Sequence, residues 1–125
     1  MHRILVIDDE KDIVDMLAEF FTARGYAVST AGDGEEGLQK FDSDKPDVIL
    51  CDIKMPKKDG FAFLQEIRSS RKWVPIIIVS AMADHTSMMK GYQFEADWYI
   101  TKPINLEDTL KALKIMLSLA PLRKK

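Results

Sequence analysis

Asp8, Asp9 and Glu10 follow one another directly, while Asp52, Ser80 and Lys102 stand far apart further along the chain. Three adjacent carboxylates repel one another, and crowding them is unfavourable unless a cation compensates. Oxygen donors with no His or Cys beside them select a hard ion, Mg2+, which takes few protein ligands and shares its shell with water and phosphate oxygens. A carboxylate close to such an ion can attack a phosphoryl group and become an aspartyl-phosphate. An ammonium and a hydroxyl, as on Lys102 and Ser80, would then neutralise and hydrogen-bond the phosphoryl oxygens. Singly, each residue has a plainer account: a helix cap for Asp8 or Asp9, a loop hydroxyl for Ser80, a solvated lysine for Lys102. Phosphoryl chemistry requires that they meet, so the question passes to the elements that would bring them together.

Short apolar runs alternate along the chain with segments of helical period. ILVI (4–7) reads as a strand buried on both faces, and Ile13, Met16, Leu17, Phe20 and Phe21 then mark one face of a helix that Gly25 stops. Tyr26 to Ala31 is a second strand, followed by a short helix in GDGEEGLQKF (32–41) with acidic residues at its start. Asp47 to Cys51 is a third strand after Pro46, KMPKKDG (54–60) a loop, and Phe61, Leu64 and Ile67 a third helix. PIIIVS (75–80) is a strand rich in β-branched residues, 84–94 a weakly helical segment with Met88, Met89 and Tyr92 as contacts, and WYIT (98–101) a fifth strand. Asn105 caps a last helix carrying Leu106, Leu110, Leu113 and Leu117, with LRKK (122–125) as a basic tail. Five strands alternating with five helices predict an α/β fold, a parallel sheet covered on both faces. Ligands on such sheets bind beyond the carboxyl ends of the strands. Asp8 and Asp9 end the first strand, Asp52 the third, Ser80 the fourth and Lys102 the fifth, so the candidate residues converge on one edge.

The totals bound what else is possible. A chain of 125 residues, 46% apolar and 30% charged, suits one domain with an ordinary core. A net charge of −2 gives no reason to expect direct nucleic-acid binding by this domain. One cysteine, Cys51, excludes an internal disulfide and fits a reducing compartment. No apolar run approaches the roughly 18 to 20 residues of a membrane span, and MHRILVIDDE turns acidic where a secretory signal would stay apolar, so a cytoplasmic location is expected.

Four stretches, VIDDE (6–10), DVILCDIKMPKKDG (47–60), PIIIVSA (75–81) and DWYITKP (97–103), together resemble the receiver domain of bacterial two-component response regulators. The likeness covers nearly the whole chain. It implies a flavodoxin-like sheet of order 2-1-3-4-5, with a receiver domain over 1–118 and a tail or linker start over 119–125. It implies that Asp52 accepts a phosphoryl group from the phosphohistidine of a sensor histidine kinase or phosphotransfer protein. It also implies Mg2+ held directly by Asp9, largely through water by Asp8, and by Asp52 and the Lys54 carbonyl. Ser80 and Tyr99 would form the switch pair, and the Lys102–Pro103 bond would be cis. A domain of this kind catalyses only its own phosphoryl transfer and autodephosphorylation.

Some residues depart from the family's pattern. Glu95-Ala96 stands where Gly-Ala is usual, and Trp98 where a small or acidic residue is common. Lys54 and Met82, two places after Asp52 and Ser80, occupy positions that tune dephosphorylation. Trp98 lies on the face of the 84–94 helix, the fifth strand and the last helix (105–118), where a homodimer or output partner would dock. Cys51 is a small buried strand residue, and Gly32 and Gly34 form a turn, since no phosphate-loop pattern accompanies them. A haloacid-dehalogenase-like Mg2+ phosphatase would use the same residue types, but it needs a D-x-D after the first strand, and Asp8 and Asp9 are adjacent. An FMN carrier needs a hydroxyl- and glycine-rich loop there, and IDDEKD is too acidic for phosphate.

Overall fold

Alternation within each strand builds the fold. In a computed structural model, which describes residues 2–53, 60–70, 74–80 and 97–123, five strands form one parallel sheet. They are β1 (Arg3–Ile7), β2 (Ala27–Ala31), β3 (Val48–Cys51), β4 (Ile76–Ser80) and β5 (Trp98–Thr101), in the spatial order β2-β1-β3-β4-β5. Four helices are described: α1 (Lys11–Thr22), α2 (Gly34–Asp44), α3 (Gly60–Ser70) and α4 (Leu106–Arg123). The helix expected over 84–94 lies outside the described residues.

Successive strand side chains point to opposite faces. Leu5, Ile7, Ile49, Cys51, Ile76, Ile78 and Tyr99 accordingly share one core with Phe63, Leu64 and Ile67 of α3, with Leu38 and Phe41 of α2 packed against it. Ile4, Val6, Val48, Leu50, Ile77 and Val79 share the other with Leu17 and Phe21 of α1 and Leu110, Leu113 and Met116 of α4. Both faces are therefore filled, which is why the strands read as unbroken apolar runs.

The boundaries differ from the sequence expectation where capping decides them. Tyr26 stays outside β2, since its N–H turns back to the Phe21 carbonyl at 3.1 Å after Gly25, which takes a φ of 90° that suits glycine. α2 starts at Gly34 because the Asp33 carboxylate accepts the Glu36 N–H at 2.8 Å, and it ends at Lys45, left-handed with a φ of 51°. Asn105 caps α4 as expected, accepting the Asp108 N–H at 3.0 Å. That helix continues to Arg123, past residue 118 and into the expected tail.

Candidate functional site

Backbone hydrogen bonds carry the sheet one residue beyond its strands, and the site residues sit on those extra rungs. The Asp8 N–H donates to the Ala31 carbonyl of β2 at 3.1 Å, the Asp52 N–H to the Ile7 carbonyl of β1 at 2.9 Å, and the Lys102 N–H to the Ser80 carbonyl of β4 at 2.8 Å. Three strand pairings thus fix the three side chains at the carboxyl edge. Asp8, Asp52 and Ser80 are buried there.

The Lys102 ammonium ties the site together. Its Nζ lies 2.8 Å from Glu10 Oε1, 3.0 Å from Asp8 Oδ2 and 3.5 Å from Asp52 Oδ2. The second oxygens of the two aspartates take backbone donors: Asp8 Oδ1 accepts the Glu10 N–H at 2.9 Å, and Asp52 Oδ1 the Ile53 N–H at 2.7 Å. Gly60 opens α3 against this turn. Its N–H donates to the Ile53 carbonyl at 2.8 Å, and a Cβ on it would strike the Asp52 carbonyl oxygen.

Burial, reinforced by the charge of Asp8, pushes the Asp52 carboxyl up to about 6, although Lys102 and the Ile53 N–H pull the other way. Burial works against the Lys102 ammonium, but hydrogen bonds to Glu10 and Asp8 and the charges of Asp52 and Asp8 outweigh it and hold its pKa above the ordinary lysine value. Among the described residues, one cation stands among three carboxylates and leaves negative charge uncompensated. Oxygens of Asp8, Glu10 and Asp52 lie within 4.8 Å of one another, an all-oxygen donor set that fits a hard divalent cation such as Mg2+.

Asp8, Asp52 and Lys102 therefore meet as the sequence predicts. Ser80 ends β4 opposite Thr101, two residues beyond the Cys51–Ile78 pair that leads into Asp52. Tyr99 is buried on the α2–α3 side of the sheet, and Trp98 is exposed. The Lys102–Pro103 bond is cis. Asp9 is exposed and does not belong to the carboxylate group, whereas Glu10, given no separate role from sequence, does. Lys54 and Met82 lie outside the described residues. Sequence reasoning also missed a buried ion pair at the opposite edge, where Arg68 Nη2 lies 2.6 Å from Asp97 Oδ2. Nothing in the spacing of two such residues announces their meeting.

The response regulator receiver domain family matches residues 4–114, and the chain belongs to it. Over 115 residues it is 36% identical to the transcriptional regulatory protein RprY of Bacteroides fragilis, covering 92% of this chain and 49% of that protein. Identity is also 36% to the alkaline phosphatase synthesis transcriptional regulatory protein PhoP of Bacillus subtilis, covering 92% and 48%. The chain thus spans about half the length of these curated relatives. Among solved structures, a CheY-like receiver domain protein of Methanospirillum hungatei superposes with a TM-score of 0.89 at 31% identity, covering 94% of each chain. The chemotaxis protein CheY4 of Vibrio cholerae gives 0.87 at 33% identity, covering 93% of this chain and 98% of its own. These likenesses leave the haloacid-dehalogenase reading without support. Among the described residues no helix is long and apolar enough to cross a membrane.

Proposed function

We propose that this receiver domain is switched by phosphorylation of Asp52, with a sensor histidine kinase or phosphotransfer protein as donor. The observation that carries this reading is the buried Asp52 carboxylate, one rung beyond β3, with Asp8 beside it and Lys102 Nζ at 3.5 Å. Asp52 Oδ2 attacks the phosphorus of a phosphohistidine: the O–P bond forms, the N–P bond breaks, and the leaving electron pair stays on the imidazole nitrogen. Lys102 orients Asp52 and offers its ammonium to the phosphoryl oxygens. Asp8 and Asp52, joined as the family resemblance implies by Asp9 and the Lys54 carbonyl, would hold Mg2+, with Glu10 left on Lys102; when bound, the ion supplies charge neutralisation for the transferring group.

The response travels through side chains: Ser80 turns toward the modified Asp52, and Tyr99 repacks behind it. The output face comprises the segment 84–94, β5 with Trp98, and α4, and it meets a second protomer or an output partner. The two relatives named above are transcriptional regulators, so a transcriptional output is the natural one for a longer protein carrying this domain. The domain turns over no external substrate.

Acetyl phosphate with Mg2+ should add one phosphoryl group, which mass spectrometry of a peptide digest places on Asp52. Labelling of Asp52→Asn at the wild-type level, or steady turnover of phosphomonoesters, would overturn the proposal.

A further inference from the structure

We propose that Glu10 is a positioning residue: it holds the Lys102 ammonium away from Asp52 in the unmodified protein, and so sets how readily Lys102 passes to a phosphoryl group there. The inference rests on the phosphoacceptor role given to Asp52 above.

Three carboxylates share one ammonium, and they share it unequally. Nζ is nearest Glu10, at 2.8 Å, next nearest Asp8, at 3.0 Å, and farthest from Asp52, at 3.5 Å. Asp8 is buried and fixed by the backbone on both sides, so it anchors Lys102 whatever happens at Asp52. Glu10 differs, with 60% of its side chain exposed. It occupies the cap position of α1, where Ser, Thr, Asp or Asn would bind the first helical N–H groups, yet its side chain makes no cap bond. It reaches Lys102 instead. An ammonium has only three donors. All three are engaged, the one toward Asp52 only at 3.5 Å, so Nζ closes further on the Asp52 side only against the pull of Glu10. Phosphorylation raises the charge on the Asp52 side, and Glu10 is the group that pulls against the transfer.

An exposed pair of this kind is weak, so removing its charge should change the affinity for a phosphoryl mimic by about two- to fivefold. The probe is beryllofluoride with Mg2+, titrated by amide NMR on the whole chain. Glu10→Gln should bind it about two- to fivefold more tightly than the wild type, and in a Lys102→Ala background the same change should have an effect below about 1.5-fold. Glu10→Asp keeps the charge but is too short for the contact, so it should tighten binding much as Glu10→Gln does, and it decides the matter if Lys102→Ala binds too weakly to titrate. Unchanged or weaker binding in Glu10→Gln, equal tightening without Lys102, or wild-type affinity in Glu10→Asp would each overturn the inference. So would a tenfold loss of Mg2+ affinity in Glu10→Gln, which would make Glu10 a metal ligand. Absence of beryllofluoride binding by the wild type would overturn the reading of Asp52 as well; the other adverse outcomes strike this inference alone.

Discussion

Replacing Asp52 by Asn should stabilise the domain at neutral pH while abolishing its chemistry. The Asp52 carboxyl sits at about 6 in the fold, against an ordinary value of 3.8, because burial and Asp8 disfavour its charge. Between those two values the folded protein holds a proton that the unfolded chain has released, so stability falls as pH rises through the window. At 1.36 kcal/mol per pH unit the full cost approaches about 3 kcal/mol above pH 6. Rearrangement of the neighbouring side chains offsets part of it, so a gain of about 1 to 3 kcal/mol is expected for Asn. Asn loses little in exchange: its Oδ1 still accepts the Ile53 N–H, and Lys102 keeps Asp8 and Glu10. In EDTA at pH 7.5 the variant should melt about 4 to 12 °C higher than the wild type, and near pH 4 the two should converge. Circular dichroism melts from pH 4 to 7.5 give the comparison. Mg2+ should narrow the gap, since saturation to 100 times the dissociation constant stabilises the wild type by about 2.7 kcal/mol. A variant no more stable at pH 7.5, or an advantage that is the same at every pH, would refute the reasoning.

Asp97→Ala takes the carboxylate from beside the largely buried Arg68 guanidinium, and urea denaturation should show a loss of about 3 to 5 kcal/mol; under 1 kcal/mol would mean the pair is structurally idle. Lys54 and Met82 offer no acid or amide to orient a hydrolytic water, so the phosphorylated protein should lose its label slowly in Mg2+, and Lys54→Asn with Met82→Glu should hasten the loss. Decay of the wild type within seconds, or no acceleration in the double variant, counts against that. Trp98→Ala should leave acetyl phosphate labelling intact while weakening self-association of the phosphorylated domain, measured by multi-angle light scattering; normal association would remove Trp98 from the interface.

The strands were legible because burial on both faces writes them as continuous runs such as Ile4 to Ile7 and Ile76 to Val79. Parallel order then placed Asp8, Asp52 and Lys102 on one edge without any knowledge of their contacts. The ends of elements were less legible, since they turn on single bonds: the Asp33 cap, the left-handed Lys45, the Tyr26 N–H folding back. Least legible was the sharing of Lys102 among carboxylates. Glu10 and Asp9 are neighbours of similar type, and only the entry into α1 decides that Glu10 faces the ammonium while Asp9 lies outside the carboxylate group. The Arg68–Asp97 pair spans 29 residues and depends on where α3 ends relative to β5, which no local pattern specifies.

The anchoring of β5 fits the proposed switch, in which side chains and not the strand itself respond to Asp52. It is a four-residue strand at the edge of the sheet, paired with β4. Here both ends are held. At one, the Asp97 N–H bonds the Ile76 carbonyl at 2.9 Å, while Asp97 Oδ2 accepts the Ile76 N–H at 2.9 Å and Arg68 at 2.6 Å. At the other, the Lys102 N–H bonds the Ser80 carbonyl at 2.8 Å and its ammonium is anchored on Asp8. Tyr99 lies between these two fixed points, in register with Ile78 and packed into the core that also contains Cys51 and Ile53. With the backbone pinned at both ends, a new charge on Asp52 has little freedom to move the strand. In the proposed switch that charge acts instead on the Lys102 ammonium, 3.5 Å from Asp52 Oδ2, and on the buried side chains beside it, with Trp98 exposed on the face of β5 opposite Tyr99.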